Sequence, residues 1–271
     1  MQQLTKGIKR IGVVLDHISV DCKKRIEDAL PGVELADIVQ PAMWMRSIKS
    51  IEEHKLIRER AHICNEGGRV VTGAVKAGVP EQEVAIAPTS AMIRETAKST
   101  PFVELMDTWT CFQSGINTDG THSLVTNKAV QAGEILSLNT FPMIFGCCTA
   151  LECKLFCEHA SNSHINLWVK NCDFHRARAQ LIKPRKTCSE IAGELNDMYC
   201  KWDLLKYRSF EYGHSFGVLS HSYSRETGVE LREDVHTELR LGIVVSMEPM
   251  IMIPEGQPGA GGYREQFDFH A

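Results

Sequence analysis

Two glutamates of this 271-residue chain stand inside apolar sequence. Glu152 lies in the strand-like run 147–156, and Glu248 directly follows the apolar run 243–247. A carboxylate is rarely buried unless a cation or a proton donor accompanies it. Each glutamate therefore predicts a polar partner in the interior, and the two together predict a functional site.

Two histidines stand in segments typical of loops. His122 ends the segment NTDGTH, and His214 lies in GHSFG, where glycines allow a ligand to approach the backbone closely. A single histidine of this kind is more often an ordinary surface side chain, but imidazole can also accept and donate a proton near neutral pH. Taken with Glu152 and Glu248, the two histidines predict one polar pocket of the hydrolase type.

The composition of the chain argues against several other classes of function. Apolar residues make up 43% and charged residues 24%, as in ordinary globular proteins. The formal net charge is −4 and there is no basic stripe, so we expect neither nucleic acid nor a membrane as a partner. The ten cysteines form no C-x-x-C pair, and we expect free thiols in a reducing, cytoplasmic compartment.

Helix starts are predicted by capping signals. In a capping box, a Ser or Thr and a Glu three residues later satisfy the first backbone amides of a helix. Ser50 with Glu53 and Thr187 with Glu190 have this spacing, and apolar residues recur at helical intervals after each pair. Glu81 falls in the first turn of another predicted helix, where a carboxylate suits the helix dipole.

Strands are predicted between these helices. Residues 103–112 and 134–156 are rich in aromatic, β-branched and Thr positions, with a turn marked by Pro142 and Gly146. The polar segment 113–128 between them is expected to be a loop. Helices in two pairs around a central set of strands define an α+β fold.

The motifs around these residues resemble the pita-bread hydrolases, the family that includes methionine aminopeptidase, prolidase, aminopeptidase P and creatinase. Similarity to the creatinase branch is carried by MDTWTCFQSGINTDGTH, SLNTFPM, TALE, YGHSFGVLSH and SMEPMIM…PEGQPGAGGYRE, over most of the chain. The resemblance implies a curved antiparallel sheet flanked by two helix pairs. It also implies that residues 1–45 are the C-terminal remnant of an N-terminal α/β domain, and that the catalytic domain, residues 46–271, is truncated at its C-terminal end.

The resemblance also bears on metal binding. Metal-dependent members hold two divalent ions with two Asp, one His and two Glu, and these positions are here Asn139, Ala150, His214, Glu248 and Gln266. Amide and methyl groups cannot supply the anionic ligands that a bridged metal pair needs. We therefore expect no metal and no other cofactor.

A site of the creatinase type would hydrolyse creatine to sarcosine and urea. By resemblance, Glu152 and Glu248 match the positions that grip the planar guanidinium group, and His122 matches the histidine that transfers the proton. His214 would orient the substrate or the carboxylates, and Arg225 matches a residue that binds the creatine carboxylate. The implied assembly is a homodimer, and the implied ligand is a small guanidino acid.

Two alternatives stay open. A non-catalytic, guanidino-binding pseudo-enzyme is suggested by two residues at the edge of the site, since Gln266 replaces a histidine and Cys148 stands where the branch has a tyrosine. A metal-dependent Xaa-Pro aminopeptidase-type hydrolase is suggested by fold analogy alone, which is weak support for a function.

Overall fold

The structure, a computed structural model, divides the chain into two compact units, Met1–Arg46 and Ser47–Ala271. It describes residues 7–103, 106–120, 123–178, 180–218, 228–265 and 267–270. His122, Arg225 and Gln266 therefore lie outside the described residues. Among the described helices, none has both the length and the apolar character needed to cross a membrane.

The first unit contains a parallel strand pair joined by a helix. Strand β1 (Arg10–Val13) pairs with β2 (Glu34–Asp37), and helix α1 (Val20–Ala29) makes the crossover that a parallel pair requires. Helix α2 (Val39–Ser47) follows β2. That this unit is the remnant of a larger domain stays a prediction.

Four long helices belong to the second unit, and local capping explains where two of them begin. Helices α3 (Ile51–Ala74) and α4 (Glu81–Ser99) pack against each other, and α5 (Asn162–Arg178) and α6 (Cys188–Lys201) form a second pair. Both predicted capping boxes are confirmed, at Ser50 for α3 and at Thr187 for α6.

An antiparallel sheet has β4 (Ile135–Ile144) at its centre. Strand β3 (Met106–Ser114) pairs with one edge of β4, while β5 (Cys147–Cys148) and β6 (Leu151–Phe156) pair with the other. The register places Asn139 of β4 directly opposite Glu152 of β6.

The predicted turn lies later in the chain than expected. Pro142 is inside β4, opposite Thr108, and the chain reverses at Phe145 and Gly146, whose φ angles are 51° and 75°. The strand pairing overrides the local turn signal of the proline.

Short strands complete the second unit. Strand β8 (Val244–Met247) is flanked by β7 (Gly213–Ser215) and β11 (Phe267–His270), and β9 (Met250–Ile253) pairs with β10 (Gly261–Arg264). All of these pairs are antiparallel.

The largest apolar core cluster joins α5 and α6 to these short strands. Phe174 stacks on Tyr199 with the ring centroids 4.0 Å apart, and Tyr212 packs against both rings. Leu195 is fully buried in the same cluster. Because Tyr212 directly precedes β7, this core holds the segment that presents His214.

An ion pair at the surface holds the same segment from outside. The Arg208 guanidinium donates to Glu233 Oε1 at 2.5 Å and to Oε2 at 3.2 Å, and it lies over the Tyr212 ring at 4.8 Å. The hydrogen bonds from Arg208 lower the pKa of Glu233 from 4.5 to about 2.

We expect Leu195→Ala to lower the free energy of unfolding by about 2–5 kcal/mol, because it leaves a cavity in the core. Leu241→Ala is the matched control, since the Leu241 side chain is 74% exposed, and it should change stability by less than about 0.5 kcal/mol. Urea denaturation followed by tryptophan fluorescence measures both. Equal losses in the two variants would contradict the assignment of this core.

We expect Glu233→Gln to make stability less sensitive to acid. Since the pKa of Glu233 is lower in the folded state, its carboxylate contributes stability above pH 4.5 that is lost as the pH falls towards about 2. The shift of the urea midpoint across this window should therefore be smaller in the variant than in the wild type. The exposed Glu255→Gln should leave the pH profile unchanged, and identical profiles for all three proteins would refute the role of Arg208.

Candidate active site

The polar residues that the sequence places in apolar surroundings meet in the second unit. Asn139, Glu152, His214 and Glu248 each have 0% of their surface exposed. Asn139 and Glu152 face each other across β4 and β6, and His214 of β7 is paired with Ser246 of β8, two residues before Glu248. The structure thus brings three of the predicted site residues together, namely Glu152, His214 and Glu248.

Arg264, at the end of β10, is the cation between the two carboxylates. Its side chain is 1% exposed. The Nη2 atom donates to Glu152 Oε1 and to Asn139 Oδ1, the latter at 3.0 Å, while Nη1 lies 3.4 Å from Glu248 Oε2. Charge-assisted hydrogen bonds of this kind are strong, and the planar guanidinium aligns the two carboxylates.

Sequence reasoning missed Arg264. The motif GGYRE was recognised, but no role was given to its arginine. The signal that could have identified it was the requirement that a buried glutamate have a cation as its partner. Two buried glutamates needed at least one such cation, and Arg264 supplies it to both.

His214 is held between a backbone carbonyl and Glu248. Its Nδ1 lies 2.7 Å from the Ser215 carbonyl oxygen, which can only accept, so Nδ1 carries a hydrogen. Its Nε2 lies 2.8 Å from Glu248 Oε1, within ion-pair range. This contact places the imidazole of His214 directly against the Glu248 carboxylate.

A glycine makes the close approach of β7 and β8 feasible. A Cβ atom on Gly213 would lie 2.2 Å from the Ser246 carbonyl oxygen. Any larger residue would push the strands apart. The small size of Gly213, the first glycine of GHSFG, thus allows the contact between His214 and Glu248.

A second buried cation lies beside this cluster. Lys154 Nζ donates to Ser137 Oγ at 2.6 Å, and Glu265 Oε1 accepts from the Lys154 backbone amide at 3.2 Å. Burial, and next the positive charge of Arg264, lower the pKa of Lys154 to about 8. The described polar interior therefore extends along β4 and β6 beyond the carboxylates.

All ten cysteines are free thiols, and several border the site. Burial raises the pKa of Cys111 to about 11 and that of Cys153 to about 12. Cys148 packs in an apolar cluster with Phe216, and its backbone amide donates to the Gly217 carbonyl at 2.8 Å. Cys148 therefore lies beside the segment that carries His214, in apolar surroundings.

The side chains around Arg264 do not provide the ligand atoms that a pair of divalent cations needs. Ala150 has no side-chain atom that could bind a metal ion. The Asn139 Oδ1 atom accepts a hydrogen bond from Arg264, and the Glu248 carboxylate contacts both Arg264 and His214. A fixed guanidinium charge in their midst opposes a metal ion electrostatically. Across the described ranges of the chain, no group of three or more His, Cys, Asp and Glu could hold a metal ion.

The sequence and the fold place the chain in one family of proteins. The model of metallopeptidase family M24 matches residues 55–268, and the chain belongs to this family. A creatinase from Bacillus sp. (strain B-0618) is 56% identical to it over 256 residues, which cover 94% of this chain and 62% of that protein. The chain thus spans less than two thirds of that relative's length.

More distant relatives share the fold. An Xaa-Pro dipeptidase from Bacillus anthracis superposes with a TM-score of 0.85 at 20% identity, covering 99% of this chain and 72% of that one. An X-Pro aminopeptidase from Thermotoga maritima gives a TM-score of 0.84 at 17% identity, covering 98% and 72%. These similarities confirm the predicted α+β pita-bread fold.

We expect Arg264→Met to lower the free energy of unfolding by about 3–5 kcal/mol, because it leaves two buried carboxylates without their cation. Arg176→Met removes an arginine from an exposed pair with Asp173 and should cost less than about 1 kcal/mol. Chemical denaturation followed by circular dichroism compares the two. A loss below 1 kcal/mol for the Arg264 variant would show that the guanidinium does not bridge the carboxylates.

Proposed function

We propose that this chain is a creatinase-like amidinohydrolase that hydrolyses creatine to sarcosine and urea. The observation that carries the proposal is the 56% identity to a creatinase over 94% of the chain. The chemistry of the buried cluster supports it, because two carboxylates are the groups best suited to bind a planar guanidinium.

The carboxylates of the cluster already bind a guanidinium group. Arg264 engages Glu152 through Oε1 and Glu248 through Oε2. An ionised carboxylate has two oxygens with about four lone-pair sites in all, so each carboxylate can accept from several donors at once. We propose that the N–H groups of creatine use this capacity, with Arg264 holding the carboxylates in a common orientation.

Proton transfer is assigned to His122. Water attacks the guanidinium carbon of creatine, and His122 takes a proton from that water as the new C–O bond forms. His122 then gives the proton to the sarcosine nitrogen as its bond to the same carbon breaks, and the remaining hydroxyl proton passes to solvent as the C=O bond of urea forms. One imidazole serves as base and then acid, as its titration near neutral pH allows. Arg225 is assigned to the creatine carboxylate.

We also propose that the reaction needs no metal ion. The support is the set of side chains at these positions, in which Asn139 and Ala150 cannot act as anionic ligands and Arg264 is already bonded to both carboxylates. Turnover then relies on the carboxylates, His214 and His122. The homodimer and the cytoplasmic location stay predictions from the sequence.

We expect the purified protein to release urea from creatine in the presence of EDTA. His122→Ala should lower kcat by about 10²–10⁴-fold, the range for loss of a general acid–base group. His159→Ala, which alters an exposed histidine, should retain wild-type kcat. A coupled urease assay measures all three proteins at saturating creatine.

Two results would overturn parts of this proposal. Loss of activity with EDTA and its recovery on adding Mn²⁺ or Zn²⁺ would show that a metal is required. The absence of urea from folded protein would refute catalysis. In that case, a rise in the melting temperature with creatine would identify the non-catalytic guanidino-binding protein, and no rise would exclude that function as well.

A further inference from the structure

Glu81 is a second kind of buried carboxylate, remote in sequence from the Arg264 cluster. It is the first residue of α4 and has 0% of its surface exposed. Its side chain accepts hydrogen bonds from the segment 114–126, which by sequence contains His122.

The two oxygens of Glu81 bind the two ends of this segment. Oε1 accepts from the Ser114 backbone amide at 2.7 Å and from its hydroxyl at 2.8 Å. Oε2 accepts from the Thr126 backbone amide at 3.1 Å and from its hydroxyl at 2.5 Å. Between them, Asn117 Nδ2 donates to both oxygens, at 3.0 and 3.1 Å. One carboxylate thus closes the segment into a loop.

Burial of a carboxylate carries a desolvation penalty. Near Glu81 this penalty is offset by neutral donors, by the N-terminus of α4 and by the Lys128 ammonium, which donates to the Ser114 hydroxyl at 2.9 Å. Within the described parts of the chain, every partner of Glu81 is a backbone amide, a hydroxyl or a side-chain amide. An apolar residue would fill the space at lower cost, but it could not bind both ends of the segment.

The same segment is attached to the strand that carries Arg264. Thr118 Oγ1 accepts from the Gly262 backbone amide at 2.9 Å. A Cβ atom on Gly262 would lie 1.9 Å from the Thr118 carbonyl oxygen, so glycine is required for this approach. On the other side, Gln113 Nε2 donates to the Ser123 carbonyl at 2.9 Å. The residues that flank His122 in sequence are therefore fixed from both directions.

We propose that Glu81 is a positioning residue, which fixes the His122-bearing segment relative to strand β10 and so to the guanidinium-binding carboxylates. Glu81 itself does not touch the substrate; it acts through the hydrogen bonds that it accepts from Ser114 and Thr126. The catalytic part of this inference rests on the proposed function, whereas the closure of the loop does not.

The decisive variant is Glu81→Gln, which keeps the size of the side chain. A glutamine amide has one accepting oxygen and one donating nitrogen. Its nitrogen would face donors at one end of the segment, so one of the two attachments is lost. Glu83→Gln is the matched control, because Glu83 is exposed in the same first turn of α4 and undergoes the same change of charge.

The expected kinetic result is a loss of kcat without a matching loss of binding. We expect kcat for creatine to fall about 10–100-fold in Glu81→Gln, as for a displaced catalytic group. KM should change by less than about threefold, since the Glu152–Glu248 pair is intact. Glu83→Gln should match the wild type in both constants. A residue that served stability alone would lower the melting temperature and leave kcat of the folded fraction unchanged.

Hydrogen exchange tests the closure without any reliance on activity. The backbone amides of Ser114 and Thr126 are bonded to Glu81, so one or both should exchange at least tenfold faster in Glu81→Gln than in Glu83→Gln. If the wild type releases no urea, the proposed function fails, and faster exchange still supports the closure. If exchange and kcat in Glu81→Gln both equal those of the control, the inference is overturned.

A milder variant covers the case in which Glu81→Gln does not fold. Thr126→Val removes one hydroxyl donor to Glu81 and keeps the shape of the side chain. We expect it to lower kcat about 3–10-fold at nearly constant KM, a smaller effect because the backbone amide of residue 126 still binds the carboxylate. A wild-type kcat in this variant, with wild-type exchange at the backbone amide of residue 126, would overturn the inference.

Discussion

A buried guanidinium between two carboxylates is the constraint on which the second unit depends. Charges are tolerated in a protein interior only when they are paired and hydrogen-bonded with good geometry. Arg264 meets this condition with Glu152, Glu248 and the Asn139 amide. The strands that carry these residues must therefore meet at one place.

The surrounding strands bring these residues together. The β4–β6 register sets Asn139 opposite Glu152, and the absence of a side chain at Gly213 lets β7 lie close enough to β8 for His214 to reach Glu248. Because a guanidinium carries its N–H donors in one plane, Arg264 holds the two carboxylates in a fixed orientation.

The sequence predicted the parts of this structure that depend on near neighbours. The capping boxes at Ser50 and Thr187 involve residues three positions apart, and the apolar surroundings of Glu152 and Glu248 are local patterns. Arg264 was missed because its partners are distant in the chain. Glu81 was interpreted only as a carboxylate suited to a helix dipole, since the segment that it binds begins more than thirty positions later. The roles of His122 and Arg225 rest on resemblance alone.

The residues of the ion cluster lie far apart in the sequence, and this affects how the chain folds. Glu152 and Arg264 are separated by 112 positions, and the sheet built on β4 precedes β10 in the chain. A folding intermediate that contained only the first sheet would bury Glu152 without its cation, and such a state is unfavourable. The partly folded form is therefore higher in free energy, and the two sheets are expected to form cooperatively. The cluster is therefore expected to couple the formation of the two sheets as well as to shape the site.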